Sequence, residues 1–406
     1  MLSPTADEIT PLILNQPQPT PLRICSGGTT SRCAEDGHWT IDLGGNVRHL
    51  SCHANQSTIR FGSGWSMGEL QAHLAHQDCM IASGLSGLPG AGFILTGGMG
   101  PLSRSLGLAI DHVQSIEGTW GNGHGFALQR ATEQIPHTEL IQKQWRALLG
   151  AGLFLGVVHT IELRCHPRLS LRVVQGCIDQ TELVALIQTA ETFPEGLTLQ
   201  WCWGDAIEIM LVARRDDITA LTTLASVQTQ LLGVKLHTTD ILGLGELPGF
   251  GSLANPSAPS ATTHQEVVGL LGPPWGEATA QLIAKLQTSM DRRPHPGCTV
   301  ASQQLGGAVR QHSPEASAFL HRDAEWKPWI TASWPMNDGH ARQAAIDWLN
   351  NVWDQLHVVC PGVHLAQLHD HMPWHAREVH SAFGAWLPEL RVLKQQLDPA
   401  GLLPRL

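Results

Sequence analysis

The sequence predicts an α+β protein made of two domains. Its 406 residues exceed the length of one typical core, which favours two domains or one large domain with an insertion. Short segments of alternating apolar residues are interspersed with segments whose apolar residues recur at helical spacing. The composition, 42% apolar and 15% charged, is that of a globular protein. Strands and helices in this mixed order indicate an α+β layout.

The first third of the chain predicts two strands, a helix and a glycine-rich segment. Ile41–Leu43 and Ser57–Phe61 have the pattern of strands, and Met67–His76 has apolar residues at helical spacing. Gly62-Ser63-Gly64 separates the second strand from the helix. From Gly84 to Gly107 the glycines are too dense for regular structure, which indicates that the backbone closely approaches another group there.

The next elements lead to a domain boundary. Gly121-Asn122-Gly123 predicts a hairpin turn, the residues around Trp145 a helix, and Gly156–Leu163 an apolar strand. Pro167 marks the boundary.

The second half alternates strands and helices. A loop rich in Pro, Ser, Ala and Thr, Asn255–Thr263, has the composition of long loops that often lie beside binding sites. The predicted strands are Leu197–Trp203 and Ile207–Val212, and the predicted helices are Thr181–Thr192, Ile218–Leu232, Ala341–Val358 and Trp386–Leu397.

Composition excludes several classes of protein. Lys and Arg are outnumbered 25 to 35 by Asp and Glu and are not clustered, so we expect no nucleic-acid partner. No apolar run approaches the roughly 20 residues of a membrane span, and no secretory leader precedes the first elements, so we expect a cytoplasmic protein. The nine cysteines are scattered without a C-x-x-C pair, which favours reduced thiols over a zinc or redox site.

A short glycine turn is the first candidate binding element. Ser26-Gly27-Gly28-Thr29-Thr30-Ser31 combines hydroxyl groups with two glycines, and its backbone N–H groups would suit the anion nest that binds a pyrophosphate. A plain turn is the alternative, because glycine turns of this kind are common.

The order of several motifs resembles the vanillyl-alcohol-oxidase and berberine-bridge-enzyme superfamily over residues 5–403. The turn is similar to its R-S-G-G-H-S, and Thr96–Asp111 is similar to its G-G-G-x-G-x-x-S-R-x-x-G-L-A-x-D. Further similar segments are Ile41–Leu43 to I-D-L, Trp145–Val158 to W-A-L-R-G-G-G-G-N-F-G-V-V, His166-Pro167 to a closing H-P, Phe319–Asp323 to F-x-H-R-D and Leu390–Pro399 to L-x-x-V-K-x-x-Y-D-P.

The resemblance implies a PCMH-type FAD-binding domain joined to a substrate domain that has an antiparallel sheet covered by helices. The first would span residues 1–168, short at its amino end, the second 169–361, and a berberine-bridge-like segment, 362–406, would return to the first. FAD would be the cofactor and a small molecule the substrate. The matching cofactor-binding positions are Ser26, Gly27, Gly28, Thr29, Thr30, Ser83, Gly84, Gly92, Gly97, Gly98, Gly100, Ser103, Gly156, Val157 and Val158.

Some positions depart from the pattern of the superfamily. Thr29 stands where berberine-bridge-like enzymes have a histidine that anchors flavin covalently, and Leu85 lies near their anchoring cysteine, so we expect FAD to be held non-covalently. Phe154 or Leu155 occupies the region of a usual asparagine, which crowds the flavin site. The chain has no tyrosine, and the stretch where a catalytic tyrosine is often found offers His364, His369 and Asp370 as candidate bases instead.

Two smaller signals allow more than one interpretation. His371 and His375 have the i, i+4 spacing of a helical metal site, but Pro373 disfavours a helix there, so we predict no metal. Trp201 and Trp203 share one face of a strand, which is compatible with core packing, with an apolar interface or with a flat hydrophobic ligand.

Two function classes remain from the sequence. The first is a FAD-dependent oxidase or dehydrogenase that oxidises a small hydrophobic or aromatic metabolite by hydride transfer to flavin N5. The second is a flavin-fold descendant without redox chemistry, acting as a binding or assembly subunit with a protein partner or as a non-redox enzyme. The altered anchor positions and the missing tyrosines favour the second class.

Overall fold

The computed structural model describes residues 1–16, 19–30, 33–53, 57–250, 263–365 and 367–406. Most of the predicted loop Asn255–Thr263 therefore lies outside the described residues. The helices are α1 Ala6–Leu14, α2 Met67–Ala75, α3 Gly92–Leu95, α4 Ser103–Leu106, α5 Glu139–Ala151, α6 Gln180–Ala190, α7 Ile218–Gln230, α8 Thr279–Asp291, α9 Gly339–His357, α10 His375–Phe383 and α11 Leu387–Leu397. The strands are β1 Leu22–Cys25, β2 Trp39–Asp42, β3 Leu50–His53, β4 Thr58–Gly62, β5 Cys79–Met80, β6 Val113–Trp120, β7 Gly125–Gln129, β8 Gly156–Arg164, β9 His166–Pro167, β10 Ser170–Ile178, β11 Leu197–Trp203, β12 Ile207–Arg214, β13 His237–Leu242, β14 Thr263–Leu271, β15 Thr299–Gln304, β16 Trp326–Pro335 and β17 Gly362–His364.

The amino-terminal part contains two small sheets. Strands β1 and β2 pair in parallel, and α1 buries Ile9 and Ile13 against them. A five-stranded antiparallel sheet follows in the order β3-β4-β8-β6-β7. The predicted turn at Gly121–Gly123 joins β6 to β7, as expected from its glycine-flanked asparagine.

The second half of the chain forms one antiparallel sheet, as predicted. Among the described residues it has eight strands in the order β13-β10-β12-β11-β15-β16-β14-β17. Because β17 pairs with β14, this sheet extends three residues beyond 361. The chain then returns to the amino-terminal part, where the Asn122 N–H donates to the Leu397 carbonyl at 2.7 Å.

The two faces of this large sheet have different neighbours. One face packs against helices α6 to α9, and it includes Trp201, which is fully buried and meets Trp275 edge to face at 6.4 Å. Trp203 lies on the same face and is 5% exposed, so the core interpretation of both tryptophans is confirmed, although Trp203 also borders a surface cavity with Asp179 and Arg293. The opposite face, with Met210 and Ala301, packs against Met80 and Leu102 of the amino-terminal part. We call this second face the cleft face.

Buried ion pairs join the glycine-rich segment to the second half. Arg104, only 4% exposed, lies 2.7 Å from Glu325 and donates to the carbonyls of Phe193 and Leu197. Asp111 lies 2.9 Å from Arg322, and both side chains are buried. These two motif residues therefore hold the cleft face and the glycine-rich segment together. None of the described helices combines the length and hydropathy needed to cross a bilayer.

Candidate active site

The predicted glycine turn follows β1 and exposes backbone donors. Gly27, Gly28 and Thr29 are exposed, and within the described residues the N–H groups of Gly27 and Thr29 have no hydrogen-bond acceptor. Free N–H groups in a tight turn favour an anion. The turn therefore suits the pyrophosphate of the FAD that the resemblance implies.

Ser26 fixes this turn against two other loops. Its hydroxyl donates to the Ser63 carbonyl at 2.5 Å and accepts from the Ala91 N–H at 3.0 Å. A Cβ on Gly27 would lie 2.3 Å from the Gly90 nitrogen, so the backbones touch and only glycine fits at position 27. The loops are thus held in one arrangement before any ligand arrives.

The other predicted cofactor positions lie in the glycine-rich segment and its flanks or at the start of strand β8. Gly97 and Gly98 both have positive φ and form a turn that faces the large sheet. Ser83 and Ser103 bind other protein groups, since Ser83 accepts from Gln71 at 2.8 Å and Ser103 accepts from the Gly100 N–H at 2.9 Å. The remaining positions line the glycine-rich segment or begin strand β8: Gly84, Gly92, Gly156, Val157 and Val158.

Phe154 does not lie free in a cofactor pocket. Its ring is 1% exposed and packs edge to face on Phe383 of α10 at 6.0 Å, while its carbonyl accepts from Lys394 at 2.9 Å. The bulky residue at the usual asparagine position is accommodated by the returning carboxyl-terminal helices, because they supply the apolar surface that covers it.

His364 is the candidate base that lies in the cleft between the two halves. It is on the cleft face of β17, 5% exposed, and its Nε2 lies 3.0 Å from the Thr96 carbonyl. A Cβ on Gly97 would lie 3.8 Å from the same nitrogen. The ring therefore sits between the glycine-rich segment and the sheet, where the resemblance places flavin and substrate.

The contacts of His364 define its protonation. A carbonyl can only accept, so Nε2 carries the hydrogen and Nδ1 has the lone pair. Within the described residues Nδ1 has no hydrogen-bond partner. Burial, and then the nearby charge of Lys327, hold the pKa of His364 well below its ordinary value, so the ring is neutral at neutral pH. The neutral ring therefore has a lone pair on Nδ1 that is available to accept a hydrogen bond or a proton.

A row of polar residues on the cleft face was not predicted from the sequence. Gln200, Gln303 and Lys327 are directly opposed across β11, β15 and β16. Lys327 lies deep in the molecule yet is partly exposed, as expected for a residue on the wall of a cleft. Its ammonium lies 4.6 Å from the centroid of the Trp329 ring. Only the strand register brings these residues together, so no local motif marks them.

His369 and Asp370, the other predicted bases, are engaged in ion pairs away from the contact between His364 and Thr96. His369 is 1% exposed and lies between Glu378, at 2.8 Å, and Glu266, at 3.3 Å. Asp370 pairs with Arg23 at 2.9 Å. Both side chains are engaged in ion pairs that tie the carboxyl-terminal segment to the fold, and neither shares the cleft with His364.

The histidine pair at His371 and His375 does not lie on one helix. His371 precedes α10 and lies 3.0 Å from Glu266, whereas His375 begins α10 and lies 2.9 Å from the Arg405 carbonyl. Among the described residues no group of three or more His, Cys, Asp or Glu side chains has the geometry of a metal site.

Comparison with known proteins agrees with this fold. Residues 16–128 match the family described as FAD binding domain. An FAD-linked oxidoreductase of Dictyostelium discoideum is 22% identical over 372 residues, which cover 87% of this chain and 75% of that protein. Chitooligosaccharide oxidase superposes with a TM-score of 0.83 at 18% identity, covering 98% of this chain and 88% of that chain. The berberine bridge enzyme from Eschscholzia californica superposes with a TM-score of 0.76 at 19% identity, covering 99% and 87%. Residues 16–128 thus match a FAD-binding domain, and the whole chain has the fold of the berberine-bridge-like FAD-linked oxidoreductases with which it superposes.

Proposed function

We propose that this chain is a FAD-dependent oxidoreductase that oxidises a hydroxyl-bearing small molecule in the cleft, with FAD held non-covalently. FAD, when bound, supplies a two-electron acceptor for the hydride that leaves the substrate carbon, and oxygen or another acceptor then takes up the electrons. The neutral, unpartnered Nδ1 of His364 carries the proposal, because oxidation of a hydroxyl also needs a proton acceptor.

The protein residues have separable roles in this scheme. The Ser26–Thr30 turn would hold the pyrophosphate through its free N–H groups. Thr29 and Leu85 offer neither an imidazole nor a thiol, which supports non-covalent binding. The Thr96 carbonyl fixes the tautomer of His364, so that the lone pair is on the nitrogen that is free to accept the substrate proton.

The absorption spectrum of the purified protein tests the cofactor. We expect flavin bands in the visible range and release of the colour into the supernatant after acid precipitation, because Thr29 and Leu85, at the two anchor positions, cannot bond FAD covalently. Gly27→Ala is expected to lower FAD retention at least about tenfold, since its Cβ would meet the Gly90 backbone at 2.3 Å and separate the loops. Gly339→Ala, which has nothing within 4 Å of the added atom, is the matched control.

Two results would oppose the cofactor proposal. Colour that stays in the precipitate would mean covalent flavin. A colourless protein that takes up no added FAD would favour the descendant without redox activity.

The role of His364 is tested by single substitution. We expect His364→Gln to lower kcat by roughly 10²–10⁴-fold with FAD retention unchanged, because the glutamine amide nitrogen lies about where Nε2 does and can still donate to the Thr96 carbonyl, but the amide cannot take up a proton. His159→Gln, at a half-buried histidine outside the cleft, is the control and should keep wild-type turnover. Full activity of His364→Gln would remove the proposed base.

A further inference from the structure

Two buried glutamines of the cleft face have amide oxygens without hydrogen-bond partners among the described residues. Gln200 is 0% and Gln303 is 2% exposed, and the Oε1 of each has no partner among the described residues. Gln303 lies between Gln200 and Lys327 in one cross-strand row. Leaving a buried polar group unsatisfied is costly, so two such oxygens in one row favour a polar ligand that completes the hydrogen bonds.

Lys327 gives this row a positive charge. Within the described part of the chain its ammonium has no carboxylate partner, and it lies 4.6 Å from the centroid of the Trp329 ring. Burial lowers the pKa of Lys327 to about 8, so the ammonium is still mainly charged at neutral pH. A desolvated cation without a counter-ion favours an anionic ligand.

The charged row and the proposed base lie next to each other. The strand register and the alternation of side chains place Lys327 and His364 on the same face of the sheet, and the charge of Lys327 contributes to lowering the pKa of His364. Gly269 lies in the sheet between Trp329 and His364 and has no side chain to fill the space between them. A ligand here would meet a cation at one end and the lone pair of His364 at the other, with amides that can accept from or donate to hydroxyls.

We propose that Lys327, Gln303 and Gln200 form an anion-binding subsite of the cleft, and that the substrate is a small organic anion that carries hydroxyl groups. This inference deepens the proposed function and rests on it. It also replaces the hydrophobic or aromatic substrate expected from the sequence, because the tryptophans that suggested one are buried on the opposite face of the sheet. Carboxylates and phosphates share the required charge.

Anaerobic titration calorimetry with two matched sets of probes tests the subsite. One set is gluconate, glucose 6-phosphate and glucose, and the other is glycerate, glycerol 3-phosphate and glycerol. At least one anion is expected to bind about tenfold or more tightly than the neutral member of its set, because a charge-assisted bond to Lys327 is available only to the anion. The carboxylate and phosphate arms then distinguish the two kinds of anion.

Substitutions identify the residue responsible for anion binding. Lys327→Met should lower the affinity for that anion at least about tenfold, and Lys327→Arg should keep most of it. Lys143→Met removes an exposed lysine that pairs with Glu139 and Glu389 and should leave binding unchanged. Because the lost ammonium has no ion-pair partner, Lys327→Met is expected to melt no lower than the wild type.

Three results would overturn the subsite: no anion binds, the neutral probes bind equally well, or Lys327→Met binds as the wild type does. These outcomes are separable from failure of the proposed function. Anion binding by a protein that takes up no FAD would leave the subsite standing and remove the redox function. Oxidation of a neutral compound by a protein that binds none of the anions would support the redox function and exclude the anion-binding subsite.

Discussion

Replacement of Arg104 by methionine is expected to lower the free energy of unfolding by about 3 kcal/mol, because it leaves Glu325 partly unpaired in the core. Glu325 is 2% exposed and keeps only the half-exposed Arg310, at 2.7 Å, as a cationic partner. The carbonyls of Phe193 and Leu197 also lose their donor. Urea unfolding followed by circular dichroism measures the change.

Burial of the Arg104–Glu325 pair has a desolvation cost for both charges. It lowers the pKa of Arg104 and raises the pKa of Glu325, so in both groups desolvation outweighs the attraction of the partner. The double variant Arg104→Met/Glu325→Leu is therefore expected to recover most of the stability that Arg104→Met loses.

An exposed ion pair provides the matched control. Arg172 and Asp240 form a two-pronged ion pair on the surface, with distances of 2.8 and 2.9 Å, and Arg172→Met should cost less than about 1 kcal/mol. Equal urea midpoints for Arg104→Met and Arg172→Met would contradict the structural role assigned to Arg104.

The ion pair of Arg104 with Glu325 shows that the motif containing Arg104 has a structural role as well as a predicted cofactor-binding role. From sequence, Thr96–Asp111 resembles a cofactor-binding segment, and its Gly97 does lie beside His364. Its two charged residues, however, bind the second half of the chain, Arg104 through Glu325 and Asp111 through Arg322. One motif thus shapes the cleft and joins the two halves across it.

Most of the regular elements could be predicted from local pattern alone. Strand β11 has the predicted bounds, and the helix predicted from Ile218 ends two residues earlier than expected. The patterns suffice there because apolar periodicity and capping residues are local: Asp217, for example, accepts from the Ala220 N–H at the start of α7. Trp201 shows what local patterns cannot predict. Periodicity indicates which residues share its face of the strand, but not which residues cover that face.

The site was only partly predictable, because its geometry depends on contacts between distant residues. His364 was found from its position in the resemblance, but its tautomer depends on Thr96, 268 residues earlier. Lys327 and Gln303 meet through the register of β15 and β16, which no spacing in the sequence reveals. His369 looked equivalent to His364 in sequence and differs only because two carboxylates enclose it.

His369 is expected to stabilise the fold in a pH-dependent way, and its replacement by leucine should cost about 3–5 kcal/mol near pH 6. Burial alone would lower the pKa of His369, but hydrogen bonds to Glu266 and Glu378 outweigh burial and raise the pKa to about 9. The folded value is above the unfolded value of 6.5, so this contribution is fully present below pH 6.5 and is lost as the pH rises through 9.

Glu266, which contacts His369, determines the low pH at which this stabilisation is lost. Burial opposes ionisation of Glu266, yet its bonds to His369 and His371 lower its pKa to about 2. Because the folded value is below the unfolded value of 4.5, the contribution of Glu266 is present above pH 4.5 and is lost as the pH falls through 2. The cluster therefore stabilises most between about pH 4.5 and 6.5.

Urea unfolding of the wild type and His369→Leu at several pH values measures this dependence. The difference in unfolding free energy should shrink by roughly 3 kcal/mol between pH 6 and pH 10 as the wild-type imidazolium loses its proton. His112 is the matched control, because burial lowers its pKa to about 4 and it is already neutral at pH 7. The cost of His112→Gln should then be the same at pH 7 and pH 10. If the cost of His369→Leu were equally constant over this range, His369 would be neutral in the folded protein and the two carboxylates would have to share another proton.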